Sequence, residues 1–400
     1  MNAKNSPSTA STRITKSALY GIDAKLGCLS HSASSVEVGN RLPYYLPLVE
    51  AALALPKLLA AGCIRDILKN MPLRTMPDTV QENQLRPIMR MLSFLAHADV
   101  YGGPEPKPWI TQKIALPLYE AAMRIGRPPV LSYASYALDN WYCIDPQKQI
   151  CLGNIALHQN FLGGMDEDWF ILVHVDIEHK AAAIYRAIPR LQLAVINNNS
   201  SFMAAGMAAI ERTTQQMYDT LSRMPERCDP YIYYTRVRPY IHGWGDTAAL
   251  PNGVLYEGVE AYQNKPQKFR GETGAQSSIL PTLYALLGIE FSQDAFWRYL
   301  MEMRTYMPPR HRAYIEAVAC GPSIRGRLMQ QNVPQNLKIF YNACVERLAE
   351  FLTLHLSYAH AYIGNQQQKK SANPTSVGTG GTPFQIYLNE HIDTVLAHRL

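Results

Sequence analysis

Asn336-Leu-Lys-Ile-Phe-Tyr-Asn-Ala-Cys-Val-Glu-Arg-Leu-Ala-Glu-Phe-Leu-Thr-Leu-His-Leu-Ser-Tyr-Ala-His-Ala-Tyr-Ile363 is the stretch that decides the fold. Leu337, Phe340, Cys344, Leu348, Phe351, His355, Ala359 and Tyr362 recur at steps of three and four and so lay one apolar stripe along a long helix. Gly364 is its stop signal. His355 interrupts that stripe with a titratable ring. An imidazole in an apolar wall is either a core histidine bonded to its neighbours or a metal ligand whose second nitrogen is fixed by an acceptor. Position alone favours the core reading, by roughly three to one. His360 turns off the stripe and is expected to meet solvent.

Outward from this helix, Met203, Met207, Ile210, Thr214, Met217, Leu221 and Met224 draw a second helical stripe. Ser200 or Ser201 is its expected N-cap and Pro225 its end. Trp169 to His179 reads as a further buried helix, with His174 and Glu178 sharing one face at i and i+4. Asp176 and His179 resemble half of a carboxylate-x-x-His metal motif, but no matching half occurs on another long amphipathic helix. The segment therefore reads as a helix carrying one functional or hydrogen-bonded histidine. Towards the N-terminus, Leu46 to Asn70 and Gln84 to Ala98 look helical, and Pro104 to Trp141 is broken by Pro and Gly. Asp145 to Gly164 reads as the join between a smaller domain, residues 1–150, and a larger one, residues 151–400. Alternating strand patterns are scarce, so the fold class is mainly α.

Bulk properties narrow the function. A length of 400 residues predicts two domains, and 47% hydrophobic residues supply an ample core. The net charge of +6 is spread along the chain without basic blocks, which argues against nucleic-acid binding. Seven scattered cysteines with no CxxC pair argue against a disulfide scaffold or zinc ribbon and for a reducing compartment. The N-terminus lacks the apolar core of a secretory signal, and Pro47, Glu50, Pro56 and Lys57 break the best membrane candidate, Tyr45 to Ile64. A cytoplasmic monomer with no membrane partner is expected.

Three loops could carry chemistry. Gly378-Thr-Gly-Gly-Thr382 lacks the Lys of a phosphate-binding loop, but allows close backbone approach with Thr379 or Thr382 as hydroxyl donor. Arg270-Gly-Glu-Thr-Gly-Ala-Gln-Ser-Ser278 offers a tight turn into a helix, for capping or for contact with a flat cofactor. Tyr231 to Trp244 is dense in aromatics and holds Arg236 and Arg238, the side-chain type best shaped to grip a carboxylate. An aromatic core with surface arginines explains that stretch equally well.

Taken in order, six segments resemble the indoleamine 2,3-dioxygenase family, and the likeness runs from Leu42 to the C-terminus. They are Pro129 to Trp141, Arg236-Val-Arg-Pro-Tyr-Ile-His-Gly-Trp244, Gly253-Val-Leu-Tyr-Glu-Gly258, Gly274-Ala-Gln-Ser-Ser278, Tyr306-Met-Pro-Pro-Arg-His-Arg312 and the Gly378 to Thr382 loop. Each alone is weak; six in sequence order are specific. The resemblance implies an all-α domain holding haem b, with the N-terminal domain forming part of the distal pocket. It implies His355 as the proximal iron ligand and the Thr273-Gly274-Ala275 backbone at the haem edge. It places Arg238 on the substrate carboxylate, Phe170 and His174 in the distal pocket with Tyr133 and Tyr136, and Tyr233 against the indole. Thr379 falls where the family closes over the ammonium and carboxylate groups. The implied reaction inserts both atoms of O2 across the indole C2–C3 bond of L-tryptophan to give N-formylkynurenine, the first step of the kynurenine pathway.

Four positions depart from the family. His174 stands where vertebrate members carry a small hydroxyl residue, and Tyr233 where Phe is frequent. Leu352 and Tyr284 replace an Arg and an Asp that pair near the haem. Losing both partners leaves no buried charge unpaired, so haem binding is expected to survive. Slower turnover or a modified indole in secondary metabolism is the alternative that these residues raise. Two further alternatives are a non-catalytic haem or O2 carrier and a cofactor-free helical interaction protein; the first would need neither Arg238 nor the glycine-rich loop.

Overall fold

The computed structural model describes residues 13–31, 33–244, 247, 249–366 and 384–400, the last stretch with side chains from residue 388 onward. Three long helices organise the large part of the molecule. Met165–Ile196 opens with Asp166, Glu167 and Asp168 in its first turn, where negative charge suits the helix dipole. Glu167 also accepts the Phe161 and Leu162 backbone N–H groups at 2.8 and 2.7 Å, fixing the entry of the chain. Asn198, in the left-handed region at φ 54°, turns the chain back into the Ser200–Leu221 helix. The N-cap there is Asn199, whose side chain accepts from the Phe202 N–H at 3.1 Å, rather than Ser200 or Ser201.

The sequence stripe of this second helix is the buried one: Met203, Met207, Ile210, Thr214, Met217 and Leu221 all face inward. Met224 lies past its end in a short 3-10 turn, Met224–Glu226, and is still buried. The third helix, Gln335–Ala359, packs against Ser200–Leu221, and the Cys344 thiol reaches the Met207 carbonyl at 3.1 Å between them. Phe384–Leu396 packs along the same third helix. Each Leu or Met fully buried in these seams contributes about 1.5–3 kcal/mol.

Glu82–Tyr101 is buried along nearly its whole length and packs against Gln112–Ile125. Leu46 to Asn70 is three helices, not one: Leu46–Leu53, Leu55–Ala60 and Ile64–Asn70. Pro56 sits in the first turn of the second, where a missing N–H costs nothing, and Gly62 at φ 67° separates the second from the third. Among the described residues, strand is confined to two small pairings, parallel Trp109–Ile110 with Leu255–Tyr256 and antiparallel Trp141–Cys143 with Ile155–Leu157, besides isolated bridges. The mainly α fold is thus as expected. All seven cysteines are free thiols, and among the described residues no helix is long and apolar enough to cross a membrane.

Candidate active site

A cavity of about 610 Å³ opens between the Met165–Ile196 and Gln335–Ala359 helices. Small-molecule and cofactor sites span ~300–1,000 Å³. Phe170, His174 and Ile177 line it from the first helix and Phe351, Leu352 and His355 from the last. Met217 and Leu221, the C-terminal end of the second stripe, contribute apolar wall between them.

His355 is open to this cavity yet enclosed by protein around it. Burial, with the nearby His174 ring opposing a second positive charge, pushes its pKa down to about 4. At neutral pH the ring is therefore uncharged and keeps a lone pair for a ligand. His97 shows what a core histidine looks like in the same molecule: its Nδ1 meets the Tyr240 carbonyl at 2.7 Å and its Nε2 accepts the Leu131 N–H at 3.1 Å. His355 makes neither kind of contact with the described residues. The expected acceptor fixing its second nitrogen is likewise not among them. No three His, Cys, Asp or Glu side chains come together among the described residues. A bare metal ion thus lacks a ligand set here, whereas a single imidazole on a broad apolar wall suits an ion whose other ligands arrive with it in a flat macrocycle. The half metal motif Asp176-x-x-His179 is used otherwise: Asp176 pairs with Lys180 at 2.5 Å and accepts from Thr220 at 3.0 Å.

Opposite His355, the His174 Nδ1 lies 2.7 Å from the Phe170 carbonyl. A carbonyl only accepts, so Nδ1 carries the proton, and burial keeps the ring neutral by lowering its pKa. The other nitrogen, pointing away from its own helix, is left as an acceptor. Aromatic rings surround it: Phe170 at 4.8 Å, Tyr133 edge-on at 6.0 Å, and Tyr233 at 4.7 Å from Phe170. Tyr233 lines the cavity, and its hydroxyl makes no hydrogen bond to the described residues.

Thr273, Gly274 and Ala275 form another part of the wall. Gln276 ties this loop down, donating to the Gly271 carbonyl at 2.9 Å and accepting the Tyr133 N–H at 2.9 Å. A Cβ built on Gly274 would meet no atom within 4 Å, so the backbone here borders open space. The loop then leads into the Ile279–Leu287 helix, as its turn chemistry predicts. Tyr136 and Arg238 are not on the wall. Tyr136 is buried behind Phe170 at 6.5 Å, and Arg238 is fully buried near Tyr233, 5.6 Å over the Tyr234 ring. Thr379 lies outside the described residues.

Several wall features escaped the sequence reading. Three π-helical turns, Ala134–Leu138, Tyr233–Val237 and His360–Gly364, abut the site, and each rotates aromatic residues out of ordinary helical register. The third carries Tyr362, edge-on to Tyr233 at 5.7 Å and bonded to the Cys228 carbonyl at 2.7 Å. Glu272 and His391 also line the cavity. On the His355 side, Leu352 is 1% and Tyr284 6% exposed, and Tyr284 packs against His391 at 5.0 Å.

Behind the distal aromatics, Glu178 accepts from Ser277 at 2.6 Å and faces the Tyr133 hydroxyl. Burial pushes its pKa up to about 7 despite these bonds. Once the unfolded chain has ionised this carboxyl, above about pH 4.5, the folded state still holds the proton. Stability therefore falls as pH rises from there through about 7, by roughly 3 kcal/mol at most. Glu178→Gln should make the decline in Tm between about pH 5 and pH 8 shallower; an unchanged slope would mean that Glu178 is ionised in the folded protein.

The family profile for indoleamine 2,3-dioxygenase matches residues 16–394. Indoleamine 2,3-dioxygenase 1 of Rattus norvegicus is 31% identical over 407 aligned residues, covering 97% of this chain and 96% of the relative. Indoleamine 2,3-dioxygenase 2 of Homo sapiens is 30% identical over 366, covering 88% and 89%. A 6-hydroxytryptophan 2,3-dioxygenase of Fusarium equiseti is 28% identical over 364, covering 90% and 88%. A fold of buried helices around one wide cavity, with an imidazole on each side, agrees with a likeness that runs almost from end to end: the chain belongs to the indoleamine 2,3-dioxygenase family, a family of haem-dependent oxidoreductases.

Proposed function

We propose that the cavity holds haem b with His355 as the proximal ligand, and that the protein cleaves the indole ring of L-tryptophan with O2 to give N-formylkynurenine. The observation that carries this reading is the pair of neutral imidazoles, His355 and His174, bordering one apolar cavity. Haem, when bound, supplies the activation of O2. Both oxygen atoms end in the product, so turnover consumes no net reductant.

The chain's own residues bind, orient and exclude water. His174, held by the Phe170 carbonyl, offers its free nitrogen to the indole N–H. Phe170, Tyr133 and Tyr233 confine the flat ring, and fixing the ring against its reaction partner lowers the entropic part of the barrier. The Thr273 to Ala275 backbone borders the macrocycle edge. Arg238 takes the substrate carboxylate, with Tyr136 backing the pocket and Thr379 closing over it. Residues 1–150 form the distal cap and residues 151–400 the catalytic domain of a cytoplasmic monomer. Arg238→Ala should weaken tryptophan at least about tenfold, as loss of a charged hydrogen bond implies, while the haem spectrum stays in place. A spectral titration with unchanged affinity would remove Arg238 from the substrate site.

Tyr233 favours a second reading. Its hydroxyl, without a described partner on the cavity wall, would pair with a hydroxylated indole. Turnover of tryptophan against 6-hydroxytryptophan, in wild type and Tyr233→Phe, separates the two: only under the second reading does the substitution reverse a preference for the hydroxylated ring.

A further inference from the structure

A second cleft, of about 1070 Å³, shares no lining residue with the cavity above. It lies across the Met165–Ile196 helix from that cavity: His174 and Ile177 line the cavity, while His179 and Arg186, on the opposite helix face, line the cleft. Its walls are ordered. The Asp23 carboxylate accepts the Lys25 and Leu26 N–H groups at 2.6 and 2.9 Å and so fixes the turn that carries Lys25. Gly27, at φ 66°, seats this turn on the long helix, where a Cβ would come within 3.1 Å of the Glu178 carbonyl oxygen. The Ser35–Arg41 helix and the Trp141–Cys143 strand complete the cleft.

Lys25, Arg41, Lys148 and Arg186 bring four cations to it, with His31 and His179 beside them. Among its described lining residues the one carboxylate is Glu37, which is engaged in the capping box of its own helix and accepts the Ser34 N–H at 2.7 Å. Lys148 meets Asp145 at 3.2 Å in an exposed pair of little strength. Lys25, Arg41 and Arg186 form no ion pair with the described residues, and Arg186 donates to the Ala24 carbonyl. Concave walls of one sign concentrate the opposite charge, and arginine forks match the oxygens of a phosphate. Trp141 adds a directed donor. It is 3% exposed, packs 6.0 Å from the His31 ring, and its indole N–H has no acceptor among the described residues. The His179 Nδ1 is enclosed in the same way. A buried donor without an acceptor is costly, and an oxyanion that reaches it removes the cost.

We propose that this cleft binds a small molecule carrying two or more phosphate groups, held by Lys25, Arg41 and Arg186 and by the Trp141 N–H. The binding is independent of the indole chemistry in the other cavity. Inorganic tripolyphosphate, titrated calorimetrically into the full-length protein at about 0.15 M salt, should bind one to one. Lys25→Gln with Arg41→Gln should weaken it at least about tenfold. Both side chains are exposed and make no hydrogen bond to the described residues, so the fold should stay intact. Trp141→Phe, which keeps a ring and removes the N–H, should weaken it about threefold or more. Lys57→Gln with Lys69→Gln removes the same charge from exposed helix positions outside the cleft and should leave affinity within about twofold. Absence of saturable binding, or equal weakening in the two double variants, overturns the proposal, because net charge alone would then account for any attraction. Unchanged affinity in both Lys25→Gln with Arg41→Gln and Trp141→Phe overturns it too. So does sedimentation with phosphatidylserine vesicles in a protein that does not bind tripolyphosphate, which would make the basic face a membrane contact instead.

Discussion

Replacing His355 with alanine is expected to abolish the Soret band of the haem-loaded protein while leaving the far-ultraviolet helical signal intact. The fold should tolerate the change, because the ring makes no hydrogen bond to the described residues and alanine favours a helix more than histidine does. Haem, by contrast, would lose its proposed protein ligand to iron. Removing a group that merely supports a metal ligand costs roughly 10–100-fold in affinity, so removing the ligand itself should cost more. The other imidazole on that side of the cavity is His391, 4% exposed, with its Nε2 unbonded among the described residues and its pKa pushed down to about 4 by burial. His391→Ala is therefore the matching control and should keep the band. A spectrum unchanged in His355→Ala and lost in His391→Ala would move the ligand to the last helix.

Leu352→Arg is expected to be the most destabilising single change in the wall. Leu352 is 1% exposed and lies one turn before His355. An arginine there is an unpaired buried charge, a fault that costs roughly 3–5 kcal/mol. Tyr284, whose buried hydroxyl has no hydrogen-bond partner among the described residues, sits on the same wall. Adding Tyr284→Asp to Leu352→Arg should recover much of the loss, because the introduced carboxylate then offers the guanidinium a counter-charge. Chemical denaturation of the two single variants and the double variant measures this directly. A double variant whose loss equals the sum of the singles would show that the two positions do not meet. The same logic explains why the natural Leu352 and Tyr284 can coexist beside the proposed cofactor site: no charge is left without its counterpart.

The helices that build the cavity were legible because their burial is one-sided. Met203, Met207, Ile210, Thr214, Met217 and Leu221 keep the period that packs one helix on another. His355 was visible as a polar break in such a stripe, although periodicity alone preferred a core role for it. The ligand role comes from the resemblance alone, and His355 lacks the two bonds that hold His97. Other features had no periodic signature. Leu46 to Asn70 splits where Pro56 and Gly62 interrupt a composition that is helical throughout. The π-helical turns add a residue to a turn without altering composition, so the shifted register of Tyr136, Tyr233 and Tyr362 cannot be counted from spacing. Glu272 looked like one more polar residue of a glycine-containing loop. Its burial leaves no mark in the local sequence, and neither does the bond by which Glu178 reaches Ser277 across 99 residues.

The most direct measurement is a turnover with isotopically heavy O2. The haem-loaded protein is reduced without air, mixed with L-tryptophan and the labelled gas, and the product is read by mass spectrometry. N-formylkynurenine carrying two labelled oxygen atoms is the predicted result. A product with one labelled atom, or tryptophan returned unchanged by protein that holds its haem, would contradict the assignment of this cavity to indole cleavage.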